Sequence, residues 1–476
     1  MARTLSETDA NGRIGTMILI GAGCAAFMNI LDGTIVTVSL PTMMHDLAVD
    51  TGYGVAVLLA YTIMLAGTVL FFGRIADRWG IRRVMMTGFA LFTASSLACG
   101  FAPNFPALVF GRLLQGIGGA MLSATSLGAI GYYFPAQSRG RGIGIVSAAS
   151  AIGAALGSPL GGILSEAFGW RSIFLVNIPV GILALWMVAR WFPPEPAPGA
   201  NSRHAMPNLY GVLLSIAILA IFLIALNRGS ETGWSSPVIL GGFALAAVLL
   251  ALFIVHERRV RDPLLDFDLF GNPRFCLANL ANVCTSMMIG GFLFLMPFYL
   301  ILVSGLSQSA TGGMLLIVSG AYILVSPLTG RLSDRIGNRV LTTGGMALAA
   351  LALVFAAATV GLDGLFVPAV FLLLTGIGYG AYLSPNNRQI LHFTPDEKQG
   401  TASGIIRFFF YIGQPVGVVL VESVIRSGIP ADLLAADGPA DTAAFKTGLM
   451  LCFALAALSA VCSFFAGREK LRGRKG

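Results

Sequence analysis

Three ionisable side chains stand inside apolar runs, where a charge is costly. Asp32 lies in NILDGTIVTVSLP (Asn29 to Pro41), with no lysine or arginine within ten residues on either side. Arg112 lies in LVFGRLLQGIGGAM (Leu108 to Met121), and Glu422 falls late in another apolar run, four residues before Arg426. A charge at the centre of a membrane-spanning helix costs about 2.5–3.5 kcal/mol on insertion scales, so such groups are usually paired or line a wet cavity. The chemistry open to Asp32 is reversible protonation. A carboxylate in a partly dry cavity can bind and release a proton near neutral pH, and so tie a proton flux to a second flux. Each proton moved inward down a 100 mV potential supplies about 2.3 kcal/mol. The alternatives for Asp32 are a helix-packing hydrogen bond or a static partnership with Arg112. Glu422 reads either as half of an i,i+4 ion pair with Arg426 or as a second coupling carboxylate. Glu166, near Arg171, reads as interfacial, and Arg407 as a side chain that snorkels toward a polar face.

Other chemistries lack their residues. The sequence has no nucleophile–base constellation and no GxxxxGK[ST] phosphate loop, which excludes an enzyme and direct ATP drive. The six cysteines lie in or beside apolar runs without a CxxC, and the four histidines are scattered, so neither a metal site nor a cofactor is expected. The proton gradient is the expected source of energy.

The elements that must position these charges are membrane helices. Hydrophobic residues make up 56% of the 476 and charged residues 11%, against about 25% charged in a soluble domain. Apolar stretches without period-two alternation recur along the chain, which predicts spanning helices rather than barrel strands. The predicted spans are 16–41, 52–73, 83–102, 105–134, 140–164, 171–192, 207–227, 237–256, 275–303, 308–330, 337–360, 363–385, 401–425 and 446–466. The apolar run after the short polar N-terminus has no evident cleavage site and reads as a retained first helix. With both termini in the cytoplasm, and charges at span ends counted with the adjoining segment, 24 of the 30 Lys and Arg fall in cytoplasmic segments, four in external loops, and only Arg112 and Arg407 deep within spans. That asymmetry follows the positive-inside rule and accounts for the net charge of +8 without nucleic acid.

An internal repeat orders the spans. GRIADRWGIRR (Gly73 to Arg83) returns as GRLSDRIGNRV (Gly330 to Val340), each copy in a cytoplasmic loop after an apolar span. The copies are eight spans apart rather than six, so two helices are inserted between two six-helix bundles. The expected divisions are an N-terminal bundle (1–192), a cytoplasmic linker (193–206), two inserted helices (207–256), a second linker (257–274), a C-terminal bundle (275–466) and a basic tail (467–476). Parallel repeats of this kind are a transporter signature.

These features together resemble the major facilitator superfamily, and within it the fourteen-helix drug:proton antiporters. The resemblance covers essentially the whole chain. It rests on GRIADRWGIRR, on LVFGRLLQGIGGAM, on GAALGSPLGGIL (Gly153 to Leu164), on LDGTIVTVSLP and on GWRSIFLVNIPVG (Gly169 to Gly181), in order. After GTASG, relatives usually place an Arg just before the later glycine. Here the stretch reads IIRFFFYIGQP, with Phe410 and Tyr411 at the polar positions and Arg407 a turn earlier.

The resemblance implies an all-α protein that exports amphipathic or cationic compounds by alternating access, in exchange for protons, from a bacterial-type inner membrane. It gives proton coupling to Asp32 and Arg112; Glu422, from its place in an apolar run, is the candidate second carboxylate. It makes Gly73, Asp77, Arg78, Gly80 and Arg82 a conformational latch, repeated more thinly at Asp334 and Arg335, with Gly73 and Gly80 expected at tight turns. It makes Gly153, Gly157, Pro159, Gly161 and Gly162 the antiporter helix, whose glycine face lies between the halves and whose proline bends it. Asn29, Tyr61, Gln115, Asn282, Met287, Phe294, Tyr322 and Tyr411 are the expected substrate lining. The partners implied are the lipid bilayer, a small amphipathic substrate and protons, with a periplasmic adaptor as a compatible addition and no nucleic acid. A proton-driven importer or exporter of one small metabolite is the competing reading on the same fold, and a transport-inactive receptor or scaffold the second.

Overall fold

The computed structural model describes residues 12–47, 51–135, 138–194, 209–260, 263–306, 308–362, 364–428 and 442–467. These form fourteen long helices and no strand among the described residues. They are α1 (Arg13–Asp46), α2 (Thr51–Trp79), α3 (Ile81–Gly100), α4 (Phe105–Tyr133), α5 (Arg139–Phe168), α6 (Asn177–Trp191), α7 (Leu209–Thr232) and α8 (Pro237–Glu257). Then follow α9 (Pro273–Phe298), α10 (Gln308–Ile336), α11 (Asn338–Ala358), α12 (Phe366–His392), α13 (Gln399–Gly428) and α14 (Thr442–Ala466). A single turn, Ser172–Leu175, precedes α6, and a π-turn, Tyr299–Val303, continues α9. Thirteen of the helices are long and apolar enough to cross a membrane. The fourteenth, α3, is diluted by Arg82, Arg83, Ser95 and Ser96 and packs along α4.

Local signals set several boundaries. Asn104 caps α4 by accepting from the Ala107 amide at 3.0 Å, with Pro106 in the first turn. Both residue types are favoured there because the first amides of a helix have no internal acceptors. Asn272 caps α9 through the Arg274 amide in the same way.

The structure corrects one expectation about the repeated motif. Gly73, Arg74, Asp77 and Arg78 are not in a loop; they occupy the last two turns of α2, and only Gly80 leaves the helix, at φ 95°. The second copy behaves alike, with α10 running to Ile336 and the turn made by Gly337 at φ 84°. Gly73 therefore makes no turn. A Cβ there would stand 2.6 Å from the Gly400 carbonyl oxygen, so its bare backbone serves a close helix contact.

The chain forms two compact units. The first holds α1 to α8 together with Thr394–Tyr411, and the second holds α9 to α12, the rest of α13 from Ile412, and α14. In the first unit α1 packs along α5, and α2 and α3 pack along α4. The inserted pair α7 and α8 pack on each other, and α7 packs on α2. There the Ser215 hydroxyl donates to the Gly67 carbonyl at 2.6 Å, and a Cβ on Gly67 would meet Ile216 at 2.7 Å. In the second unit α11 and α10 pack on α12, and α14 on α9 and α11. The Thr285 and Ser459 hydroxyls lie 2.7 Å apart at its centre.

Candidate functional site

Asp32 and Arg112 meet in the core of the first unit, both fully buried, with Arg112 Nη1 2.5 Å from Asp32 Oδ2. Five helices of this unit and the turn before α6 build the site. Gln115, one turn along α4 from Arg112, donates from Nε2 to Asp32 Oδ1 at 2.8 Å and to Ser96 Oγ on α3 at 2.8 Å. Its Oε1 accepts from Arg112 Nη1 at 2.7 Å. Asn177, in the first turn of α6, donates from Nδ2 to Asp32 Oδ1 at 3.2 Å. From α2, the Val57 carbonyl accepts from Arg112 Nε at 3.2 Å, and the Tyr61 ring lies 4.3 Å from the guanidinium carbon. Phe174, in the turn before α6, presents a second ring at 5.8 Å. An ionised carboxylate only accepts hydrogen bonds, and every group aimed at Asp32 here is a donor. The arrangement therefore fits the ionised form. A proton arriving on Asp32 must displace one of these donors and leave the guanidinium without its counter-charge, and breaking a buried pair in that way costs about 3–5 kcal/mol.

The pair extends to α13 through Asn29, one turn before Asp32. Tyr61 Oη donates to the Asn29 carbonyl at 3.2 Å, and Asn29 Nδ2 donates to the Gly119 carbonyl at 2.8 Å. Tyr411 Oη donates to Asn29 Oδ1 at 2.5 Å and lies 2.8 Å from Ser123 Oγ. Four residues expected to line the substrate path (Asn29, Tyr61, Gln115 and Tyr411) thus belong to one network around Asp32, and Gln115 has no exposed surface at all. The other four lie in the second unit. Asn282 is buried on α9, and the Met287 backbone packs against Gly417. The Phe294 ring stands 5.3 Å from that of Phe298, and the Tyr322 ring 5.0 Å from that of Tyr379. Glu422 is half-buried in the same unit; the side chain of Arg426 lies outside the described residues. Arg171 pairs with Asp46 at 2.7 Å, and Trp170 Nε1 donates to the same carboxylate, while Glu166 is exposed.

A second constellation closes the end of α2. Asp77 accepts from the Gly400 amide at 2.6 Å, the Thr401 amide at 2.8 Å and the Thr401 hydroxyl at 2.5 Å. Those amides open α13, where unpaired N–H groups and the helix dipole favour a negative charge. Arg74 Nε donates to the Pro263 carbonyl at 2.7 Å, which docks the segment after α8 onto α2. Glu257, the last residue of α8, is buried and accepts from the Leu264 amide, and from the Leu265 amide at 3.3 Å. Asp266 pairs with Lys398, just before α13. Arg82 reaches the Ala189 carbonyl at 2.6 Å, and Arg78 is half-buried on the last turn of α2. In the second copy the Asp334 side chain lies outside the described residues and Arg335 is exposed. The staple there is Arg388, which donates to the Ser333 carbonyl at 2.6 Å and to Asn338 Oδ1 at 3.2 Å.

The glycine face of α5 has a close neighbour within the first unit. It packs on α1 of the same unit. A Cβ on Gly153 would stand 2.7 Å from the Phe27 carbonyl oxygen, one on Gly161 2.6 Å from that of Ile35, and one on Gly157 would strike the Thr34 hydroxyl. Gly162 is half-buried and off this face, and Pro159 is exposed within an unbroken helix.

Comparison with known proteins agrees with this architecture. The family model for the Major Facilitator Superfamily matches residues 22–418. The chain belongs to the major facilitator superfamily. Among relatives in this superfamily, it is 35% identical to the multidrug resistance protein Stp of Mycobacterium tuberculosis, over 88% of this chain and 78% of that protein. It is 33% identical to the riboflavin transporter RibZ of Clostridioides difficile, over 87% of this chain and 89% of that protein. The crystal structure of the human organic anion transporter MFSD10 (TETRAN) shares the fold at a TM-score of 0.66 and 14% identity, covering 93% of this chain and 99% of that one. As a superfamily member the protein is a multi-pass membrane transporter and not an enzyme.

The residues not expected from the sequence are Asn177, Ser96, Glu257, Arg388 and the Gly400–Thr401 amides. Asn177 carried a signal: it is a lone amide inside the apolar run of GWRSIFLVNIPVG.

Proposed function

We propose that this protein exports amphipathic organic compounds across a bacterial inner membrane in exchange for protons, by alternating access, with both termini in the cytoplasm. The observation that carries this reading is the fully buried Asp32–Arg112 pair, wrapped by Gln115 and Asn177. Protonating Asp32 uncouples it from Arg112 and loosens the network that reaches α13 through Asn29 and Tyr411. Losing the proton restores the pair. The substrate and the proton are thereby tied to different states of one network. Asp77 supplies the latch by holding the first turn of α13 on α2. The placement of Lys and Arg supports the orientation, and similarity to multidrug resistance proteins supports export of drug-like compounds. Similarity to a riboflavin transporter favours a second reading, movement of one specific metabolite on the same machinery.

The test is efflux of a panel of amphipathic dyes into inverted membrane vesicles, comparing wild type with Asp32→Asn and Arg112→Ala. Wild-type transport is expected to collapse with a protonophore, and both variants to lose it while still reaching the membrane. Undiminished, protonophore-sensitive transport by Asp32→Asn overturns the role given to this pair.

A further inference from the structure

One buried charge in the first unit stands apart from the others. Each enclosed acid among the unit's described residues has at least one partner, although Glu257 Oε1 takes no hydrogen bond. Asp32 faces Arg112, Asp77 caps α13, Glu257 holds two amides, and Asp266 pairs with Lys398. Arg407 has none. It lies two turns into α13 with 9% of its surface exposed, and its Nε is buried without an acceptor. Among the described residues no carboxylate pairs with it and no acceptor takes a hydrogen bond from its guanidinium. One turn before it, the Ser403 hydroxyl is fully buried and also without a partner. Residues four apart share a helix face, so Ser403, Arg407 and Tyr411 form a row along α13, with Tyr411 tied to the Asn29 network. Snorkelling does not account for a guanidinium this enclosed. A guanidinium in an apolar span is retained against a considerable cost, and among the described residues no group pairs with it.

We infer that Arg407, with Ser403 beside it, is a recognition site for an anionic group on the transported compound, such as a carboxylate, sulfonate or phosphate. A guanidinium presents several donors in a planar fork that suits such oxyanions, and the unmatched hydroxyl adds a further donor. The inference rests on the transport reading above but concerns which compound is chosen. An anion seated on Arg407 is neutralised there, while Asp32 keeps its own partner.

The test uses equilibrium binding to the purified full chain in detergent, so it requires no proton gradient. The probes are 8-anilinonaphthalene-1-sulfonate, its uncharged parent N-phenyl-1-naphthylamine, and the cation tetraphenylphosphonium. Comparing variants at equal micelle concentration cancels partitioning. Arg407→Gln is expected to weaken sulfonate binding by about tenfold or more (~1.4 kcal/mol), with the uncharged parent changed less than about twofold. Arg407→Lys should keep more of the sulfonate affinity than Arg407→Gln, and Ser403→Ala should lose part of it. In wild type, 2-naphthoate should displace the bound sulfonate and 2-naphthalenemethanol should not, an outcome that decides the matter even if a variant fails to fold. Equal loss of all three probes, unchanged sulfonate binding in Arg407→Gln, or displacement by the alcohol as readily as by the acid overturns the inference. Failure of the coupling reading shows separately, as flux that survives Asp32→Asn.

Discussion

Replacing Asp77 by asparagine exchanges one carboxylate oxygen for an amide nitrogen and changes little volume. In the native chain its carboxylate takes three hydrogen bonds from Gly400 and Thr401 at 2.5–2.8 Å. Bonds to a charged group contribute about 1.5–3 kcal/mol each, and a carboxylate at a helix N-terminus adds about 0.3–1 kcal/mol. Asparagine keeps one acceptor oxygen, loses the charge, and turns its amide toward a backbone N–H that also needs an acceptor. The net loss is about 2–4 kcal/mol, which raises the opening equilibrium of the first turn of α13 by roughly 30- to 1,000-fold. Amide hydrogen exchange on peptides covering 394–411 reads this directly, as faster exchange at Gly400 and Thr401. Thr401→Val removes one of the three contacts and should speed exchange less. Gly73→Ala leaves the charge in place but puts a Cβ 2.6 Å from the Gly400 oxygen and 3.3 Å from the Thr401 Cα; with backbone on both sides it should open the same turn. Exchange at 394–411 that stays within twofold of wild type in Asp77→Asn would refute the assignment of Asp77 as the clamp.

Two further outcomes follow from the packing. Gly157→Ala places a methyl group against the Thr34 side chain and 3.2 Å from the Ile35 amide nitrogen, an overpacked contact costing about 1–3 kcal/mol. It should lower the detergent-solubilised melting temperature, while Gly162→Ala, off that face, should not. Glu257→Gln weakens the hold on the Leu264 and Leu265 amides, and peptides covering 263–267 should then exchange about tenfold faster with the rest of α8 unchanged.

The helices and the ion pair were legible because each leaves a mark in composition. Fourteen apolar runs, and two opposite charges where charges are rare, lead to Asp32 and Arg112 without coordinates. Gln115 and Asn177 were harder, since a neutral amide within a span has many uses and only the fold shows it turned toward Asp32. The partners of Asp77 left no mark at all. Two of the three are backbone amides more than 300 residues away, a donor with no residue type to recognise, and the third is one hydroxyl among many, that of Thr401. Gly73 was misplaced for a related reason: glycine suits a turn and a tight helix crossing equally, and the crossing at Gly400 depends on tertiary structure. The glycine face of α5 was visible as a four-residue rhythm, but a rhythm does not name the helix it packs on. The isolation of Arg407 appears only once the hydrogen bonds and ion pairs of the described residues are known.

The most direct measurement of the central claim is proton movement itself. Purified protein in liposomes containing a trapped pH indicator is given a gradient of a transported dye, with no imposed pH gradient. In wild type, protons should cross in the direction opposite to the dye, and in Asp32→Asn neither the proton nor the dye should cross. Dye movement in wild type without proton movement, or proton exchange of wild-type size in Asp32→Asn, would contradict the assignment of Asp32 as the proton-binding switch.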